Sequence, residues 1–199
     1  MNVMNERPAI FDELAELCLQ AFREGTPVPA TRLLMRLMDH KQVPSHSPLH
    51  HFIMPATLLT VASMAKGVED EDDLLDMLEE AWDRAQNVLG GFCGYYGACG
   101  AGVGTGIFMS VFTGATPHSV DSWKWCNEIT GRSLQSIASV PGPCCCKRTS
   151  FLALRSAIPY IEEICGLKFP EDPEVVCGYY MDNEICKQQD CPFYQGGAL

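Results

Sequence analysis

Between Val88 and Pro117 the chain carries no Asp, Glu, Lys or Arg. A stretch of that length and polarity has to be buried, in a bilayer or in a protein core, and it is long enough to span a membrane. Its first half, GGFCGYYGACGAGVGTG, is glycine-rich, and each glycine inside a helix costs about 1 kcal/mol relative to alanine. Only about a dozen residues after it are firmly apolar and helix-forming, and flanking Lys/Arg anchors are missing. The pattern fits a buried core helix entered through a glycine-rich loop, so no membrane span is expected.

Helical spacing recurs along the rest of the 199 residues, a length that supports one sizeable core. Ile10, Leu14, Leu17, Cys18, Ala21 and Phe22 repeat at helical intervals up to Arg23, and Gly25 and Pro27 stop that helix. Helices are also predicted over 30–38, from Pro48 to Lys66 with Gly67 as the stop, from Asp70 to Leu89, about Ile107 to Phe112, Ser122 to Ser139, and Lys147 to Cys165. Pro55, Gly131 and Pro159 are expected to kink or break their helices. Period-two alternation is nearly absent. The predicted fold is all-α, a single-domain multi-helix bundle over 1–169, with a glycine-rich loop before a buried helix and a small irregular cysteine-rich cap over 170–199.

The net charge of −11 and the pI near 4.8 disfavour nucleic acid, because an acidic surface repels phosphate backbones. The run from Glu69 to Asp73 reads as a solvated helix face with acids at its positive N-terminal end, since no calcium-loop spacing accompanies it. The start, MNVMNERPAIFDELAEL, has no basic-then-apolar leader pattern. A cytoplasmic location follows as the expectation, and there thiols stay reduced. Eleven cysteines then point to metal or redox chemistry rather than to structural disulfides.

The tail carries the strongest of these signals: Cys177, Cys186 and Cys191 in the pattern C-x8-C-x4-C-P, closed by Pro192. A loop-rich segment too short to build a core needs a staple, and metal binding supplies one. Three thiolates need a fourth ligand, which the run Cys144-Cys145-Cys146 can provide. The Cys-Pro step is familiar from ferredoxin-type cluster loops. The spacing matches neither those loops nor paired CxxC zinc ribbons, so the pattern alone does not fix the centre; an iron–sulfur cluster, of the 4Fe-4S type, is preferred, with an all-cysteine zinc site as the alternative.

Two further segments bear on chemistry. Cys93 and Cys99 flank a loop whose Gly100, Gly102, Gly104 and Gly106 can either cradle a ligand with free amides or pack helices closely. The register fits neither a dinucleotide fingerprint nor a P-loop. The thiol pair tilts the reading toward chemistry, with Cys93 and Cys99 as candidate catalytic or metal-binding residues. Cys144, Cys145 and Cys146 precede Lys147 and Arg148 at a predicted helix N-terminus, which should lower their thiol pKa values, and neighbouring cysteines can face different directions and serve different sites. Lys147 and Arg148 are candidate ligand-binding residues, or a solvated first turn. Cys18, Cys126 and Cys165 read as small buried hydrophobes. The histidines are weak candidates. His46 and His50 stand four apart, but Pro48 lies between them, and His118 follows a turn from which it can reach the glycine loop.

The segments GACGAGVGTGIFMSVFTGATPHS and PGPCCCKRTSFLAL, followed by a C…C…CPFY tail, resemble an uncharacterised cysteine-rich family of anaerobic bacteria and archaea, some of whose members are fused to methyltransferase-like domains. The resemblance covers roughly residues 45–195. It implies a functional set of Cys93, Cys99, Cys145, Cys146, Cys177, Cys186 and Cys191. The family pattern has two cysteines before Lys-Arg, so Cys144 departs from it. Its anaerobic setting favours a cluster, and its fusions point to sulfur or methyl-transfer metabolism by association.

Three functions are consistent with these residues. One is an iron–sulfur protein with a small-molecule or second-metal pocket at Cys93 and Cys99, open to redox or sulfur/methyl chemistry. Another is a zinc-stapled, non-catalytic module that docks on a methyltransferase or redox partner. The third is a thiol-based metal carrier or sensor. No acid–base pair is recognisable, so whether the protein is an enzyme stays open at this level.

Overall fold

The computed structural model describes residues 8–196. The first seven residues, part of the segment read above as lacking a leader, and the last three of the cap lie outside the described residues. The described chain forms eight α-helices and no strand: α1 Ala9–Arg23, α2 Ala30–Met38, α3 Leu49–Lys66, α4 Glu71–Ala85, α5 Phe92–Tyr95, α6 Gly100–Thr113, α7 Asp121–Ala138 and α8 Cys146–Cys165. The all-α expectation holds. None of these helices is long and apolar enough to cross a membrane.

Helix α3 is the axis of the bundle. Every residue from His50 to Ser63 is buried, with α1, α2, α4, α6 and α8 packed around it. A helix that is apolar all round has to sit in the middle of others. Phe11 of α1, Phe52 of α3 and Trp82 of α4 form a tilted aromatic triad, with ring centroids 5.0–5.6 Å apart. The acidic run begins α4: Asp70 caps it by accepting from the Asp72 amide at 3.0 Å, and Glu71 pairs with Arg23 of α1.

Several helix boundaries differ from the sequence expectation. Helix α6 begins at Gly100, not near Ile107, so the glycine-rich segment is helical after all. A methyl at Gly100 would overlap the His51 ring, one at Gly102 would fall 2.6 Å from Leu134, one at Gly104 would fall 3.0 Å from Met54 and Pro55, and one at Gly106 would overlap Thr130. Close packing against α3 and α7 compensates for the poor helix propensity of these glycines. The α3 helix continues through Pro55, which leaves the carbonyl of His51 without its amide donor. That carbonyl faces Gly104, where only a glycine lets the two helices approach so closely. Gly131 and Pro159 likewise lie within unbroken helices. Helix α4 ends at Ala85, short of the expected Leu89, and the Val88 carbonyl accepts from His51 Nδ1 at 2.7 Å. The single turn α5 was not anticipated.

After Gly166 the described chain has only one short 3-10 turn, Gln188–Asp190, and lies along the body. Asp172 accepts from the Thr31 amide at 2.8 Å, Tyr179 donates to Asp39 at 2.6 Å, and Ser45 donates to the Asp182 carbonyl at 3.1 Å. The Phe193 ring packs on Phe151 of α8, centroids 5.2 Å apart. Phe193 therefore brings the tail against the N-terminal half of α8, where the triple-cysteine run stands.

Candidate metal centre

The backbone explains how three consecutive cysteines are divided. Cys145 caps α8 in an extended conformation, φ −145° and ψ 107°, and Cys146 opens the helix. Side chains alternate across extended backbone, so Cys144 and Cys146 share one side and Cys145 takes the other.

On its side Cys145 meets the tail. Cys145, Cys177, Cys186 and Cys191 line a single cleft, closed by Tyr179, Tyr180 and Phe193. N–H donors surround the sulfurs. Asn183 Nδ2 donates to Cys145 Sγ at 3.5 Å, and the Gln188 amide donates to Cys186 Sγ at 3.4 Å. The amides of Arg148 and Lys147, in the first turn of α8, also favour a Cys145 thiolate, although burial outweighs them and keeps its pKa raised. Burial likewise pushes Cys177 up, and the thiols of Cys145, Cys191 and Cys186 add to that shift by their proximity. Raised thiols such as Cys145 and Cys177, set among further cysteines, favour occupants that replace protons with positive charge.

On the other side Cys144 and Cys146 meet the segment around α5. Cys93, Cys99, Cys144 and Cys146 line a cleft together with His46. Cys93 Sγ lies 3.5 Å from Cys144 Sγ. Cys144 and Cys146 also share a hydrogen bond, so Cys146 is lowered against the effect of its burial while the proton stays on Cys144, which is raised. Of the three cysteines expected to be acidified by the helix N-terminus, only Cys146 is. Cys93 and Cys99 are raised, chiefly by burial. Among the described residues, one set of three or more His, Cys, Asp or Glu side chains brings its donor atoms within 4.8 Å of one another: His46, Cys144 and Cys146.

Arg148, 4% exposed, borders the tail cleft and, on its other side, a pocket lined by Cys93, Cys99 and Cys144. It donates to the Pro143 carbonyl, and its Nε, buried, has no partner. Lys147 is neither a solvated first-turn residue nor open to a ligand. Its ammonium donates to the Met38 carbonyl at 2.7 Å and stacks over the Tyr179 ring at 4.5 Å, and burial pulls its pKa down to about 8. Gly102, Gly104 and Gly106 face protein neighbours throughout, and only Gly100 borders a thiol-lined cleft. His118 is exposed beyond the C-terminal end of α6. That helix is about 20 Å long, and the thiols are at its other end. Cys18 is fully buried, its thiol pushed up to about 12 by burial, while Cys126 and Cys165 are half-buried. None of the three borders either cleft.

Of the residues gathered here, sequence reasoning passes over Asn183; it raises Cys144 only as part of the run that can supply a fourth ligand, and His46 only as a weak candidate beside His50. Alternation through the cysteine run could have separated Cys144 and Cys146 from Cys145. Nothing local marks His46 or Asn183, which meet across 137 positions of chain, His46 Nε2 to Asn183 Oδ1 at 3.1 Å.

The model of a family of unknown function, DUF5714, matches residues 17–194. The chain belongs to this family. The matched span holds both thiol sets, and the finding agrees with the resemblance to an uncharacterised family. DUF5714 itself brings no activity. Neither the curated proteins nor the solved structures contain a match.

Proposed function

We propose that this protein is an iron–sulfur protein whose cluster is held by Cys145, Cys177, Cys186 and Cys191. One observation carries the reading: four thiols from α8 and the tail line one closed cleft, with N–H donors aimed at two of them. Hydrogen bonds to sulfur and exclusion of water are the means by which a protein tunes such a centre.

When bound, a cluster of this kind supplies one-electron transfer. The chain's own residues orient and shield it. Asn183 holds Cys145, the turn Gln188–Asp190 presents Cys186 and Cys191, and Tyr179 and Phe193 keep water from the thiols. A redox role follows from this chemistry, and the family resemblance noted above implies an anaerobic setting, with a redox or methyltransferase protein as the partner class. The tail, with one 3-10 turn as its only regular element among the described residues, supports a second reading, a zinc-stapled interaction module, since that segment depends on a staple either way.

Analysis of metal and acid-labile sulfide, with a visible spectrum, on protein purified without oxygen decides between the two. Iron and sulfide in matching amounts, lost together in Cys177→Ser, are the expected result. A colourless, sulfide-free protein whose zinc is lost in Cys177→Ser would overturn the cluster in favour of the zinc staple.

A further inference from the structure

The thiols on the other side of the cysteine run form a site of different character. His46, Cys144 and Cys146 bring one nitrogen and two sulfurs within 4.8 Å of one another, the span of ligands around a single ion. Cys93 Sγ, 3.5 Å from Cys144 Sγ, stands at the edge of this set. It is carried on the single turn α5, which Gly91 and Gly97 join to the chain with φ of +83° and +69°.

The histidine is arranged as metal-binding histidines are. Asn183 Oδ1 accepts from the Ile185 amide at 3.2 Å, while its Nδ2 donates to Cys145 Sγ, which fixes the orientation of the side-chain amide. Oδ1 can only accept, so His46 Nε2 carries the proton that bonds to it at 3.1 Å. The lone pair is then on Nδ1. A ligating histidine commonly gives its other N–H to such an oxygen, which sets its tautomer and orientation. Asn183 is itself buried, 7% exposed, so this support is rigid.

We propose that His46, Cys144 and Cys146, with Cys93 as the fourth ligand, form a second metal site, for one divalent ion of the zinc class, separate from the tail centre. Two or three thiolates with one imidazole suit a borderline-soft ion in tetrahedral geometry. Carboxylate-loving cations such as magnesium and calcium find no oxygen ligand among these four side chains. The cleft beside the site is bordered by the exposed His46, Gly90 and Gly91, so the ion is reachable, and Cys93, carried on the single turn α5, is the ligand that an incoming group can displace. A zinc ion with a displaceable ligand is a Lewis acid able to hold a thiol or carbonyl.

The site is tested with Co2+ on the full chain, purified without oxygen and with its tail centre as isolated. Cobalt in a thiolate site absorbs in the near ultraviolet, and its visible bands report tetrahedral coordination. The expected result is one Co2+ per chain with both features. Affinity should fall more than tenfold in His46→Ala, and the ion should be lost in Cys146→Ser, while iron and sulfide stay at wild-type levels. Cys177→Ser should keep the cobalt spectrum. His46 is exposed, so its replacement leaves the helical circular dichroism intact and carries the test even if Cys146→Ser does not fold. Wild-type cobalt stoichiometry, affinity and spectrum in His46→Ala would overturn the proposal. Failure of the tail reading appears elsewhere, as a sulfide-free wild-type protein, and leaves this comparison unaffected.

Discussion

His50 shows what a single buried side chain contributes to pH dependence. It is 1% exposed in α3, and its Nδ1–H donates to the Ser47 carbonyl at 3.1 Å. Nε2 keeps the lone pair, buried and without a partner. Burial, with Lys147 adding to it, lowers the pKa from an ordinary 6.5 to about 3. In the unfolded chain His50 takes up a proton near pH 6.5, and in the folded protein it does not. Its stability contribution is therefore fully present above about pH 6.5 and is lost as pH falls toward 3, at up to about 1.4 kcal/mol per pH unit. Denaturant unfolding of the wild type and His50→Gln at pH 7, 6 and 5 should show the wild type losing stability more steeply by about one proton. Equal slopes would mean that the imidazole stays accessible to protons. At this scale the cysteines were legible as a class, because eleven thiols in one chain are hard to explain otherwise. Their grouping was legible only in part. The tail triad and its need for a fourth ligand could be read from spacing, whereas the pairing of Cys144 and Cys146 with His46 depends on a fold that closes over about a hundred residues of chain.

Among the elements, α6 departs most from what residue preferences imply. Four glycines in its first two turns argue for a loop, yet the segment is helical because each glycine meets a neighbour that a side chain would displace. Apart from the single turn α5, which is too short to carry a period, the other helices were legible because their apolar residues recur at helical spacing between clear stops, as in α1 and α2. For α6, by contrast, tertiary packing decided the conformation, and packing leaves no periodic signal in a run of small residues. The neighbours are not equivalent. At Gly102 an added methyl meets the flexible end of Leu134. At Gly106 it collides with Thr130 Oγ1, which is already committed to the Cys126 carbonyl at 2.8 Å, and that carbonyl lies 3.2 Å from the same methyl. Alanine gains about 1 kcal/mol of helix propensity at either position. Overpacking against rigid atoms costs about 1–3 kcal/mol, and more where backbone has to shift. Gly102→Ala should therefore unfold within about 1 kcal/mol of the wild type in denaturant, and Gly106→Ala should be destabilised by about 2 kcal/mol through parting of α6 from α7. Equal stability of the two variants would contradict the packing account of α6.

For the molecule as a whole, the arrangement of charge matters more than its total. The chain carries a net charge of −11, yet Lys147 and Arg148 are both buried at the start of α8. Lys147 is committed to the Met38 and Val43 carbonyls, whereas Arg148 lies between the tail cleft and a pocket lined by Cys93, Cys99 and Cys144. Its charge opposes the rise of the Cys145 thiol, which burial drives, and that of Cys144, which its hydrogen bond with Cys146 drives. A guanidinium in that position favours whichever state of a neighbouring centre carries more negative charge. For an iron–sulfur cluster that is the reduced state, so Arg148 raises the reduction potential of the proposed tail centre. Arg148→Gln should leave iron and sulfide bound and shift the midpoint potential, followed by redox titration of the visible absorbance, to more negative values. Arg148→Lys, which retains the charge, should recover most of the difference, and that separates electrostatics from the loss of the hydrogen bond to Pro143. A midpoint unchanged in Arg148→Gln would place the cluster outside the reach of this charge. It would then have to be held farther from the N-terminus of α8 than ligation by Cys145 allows.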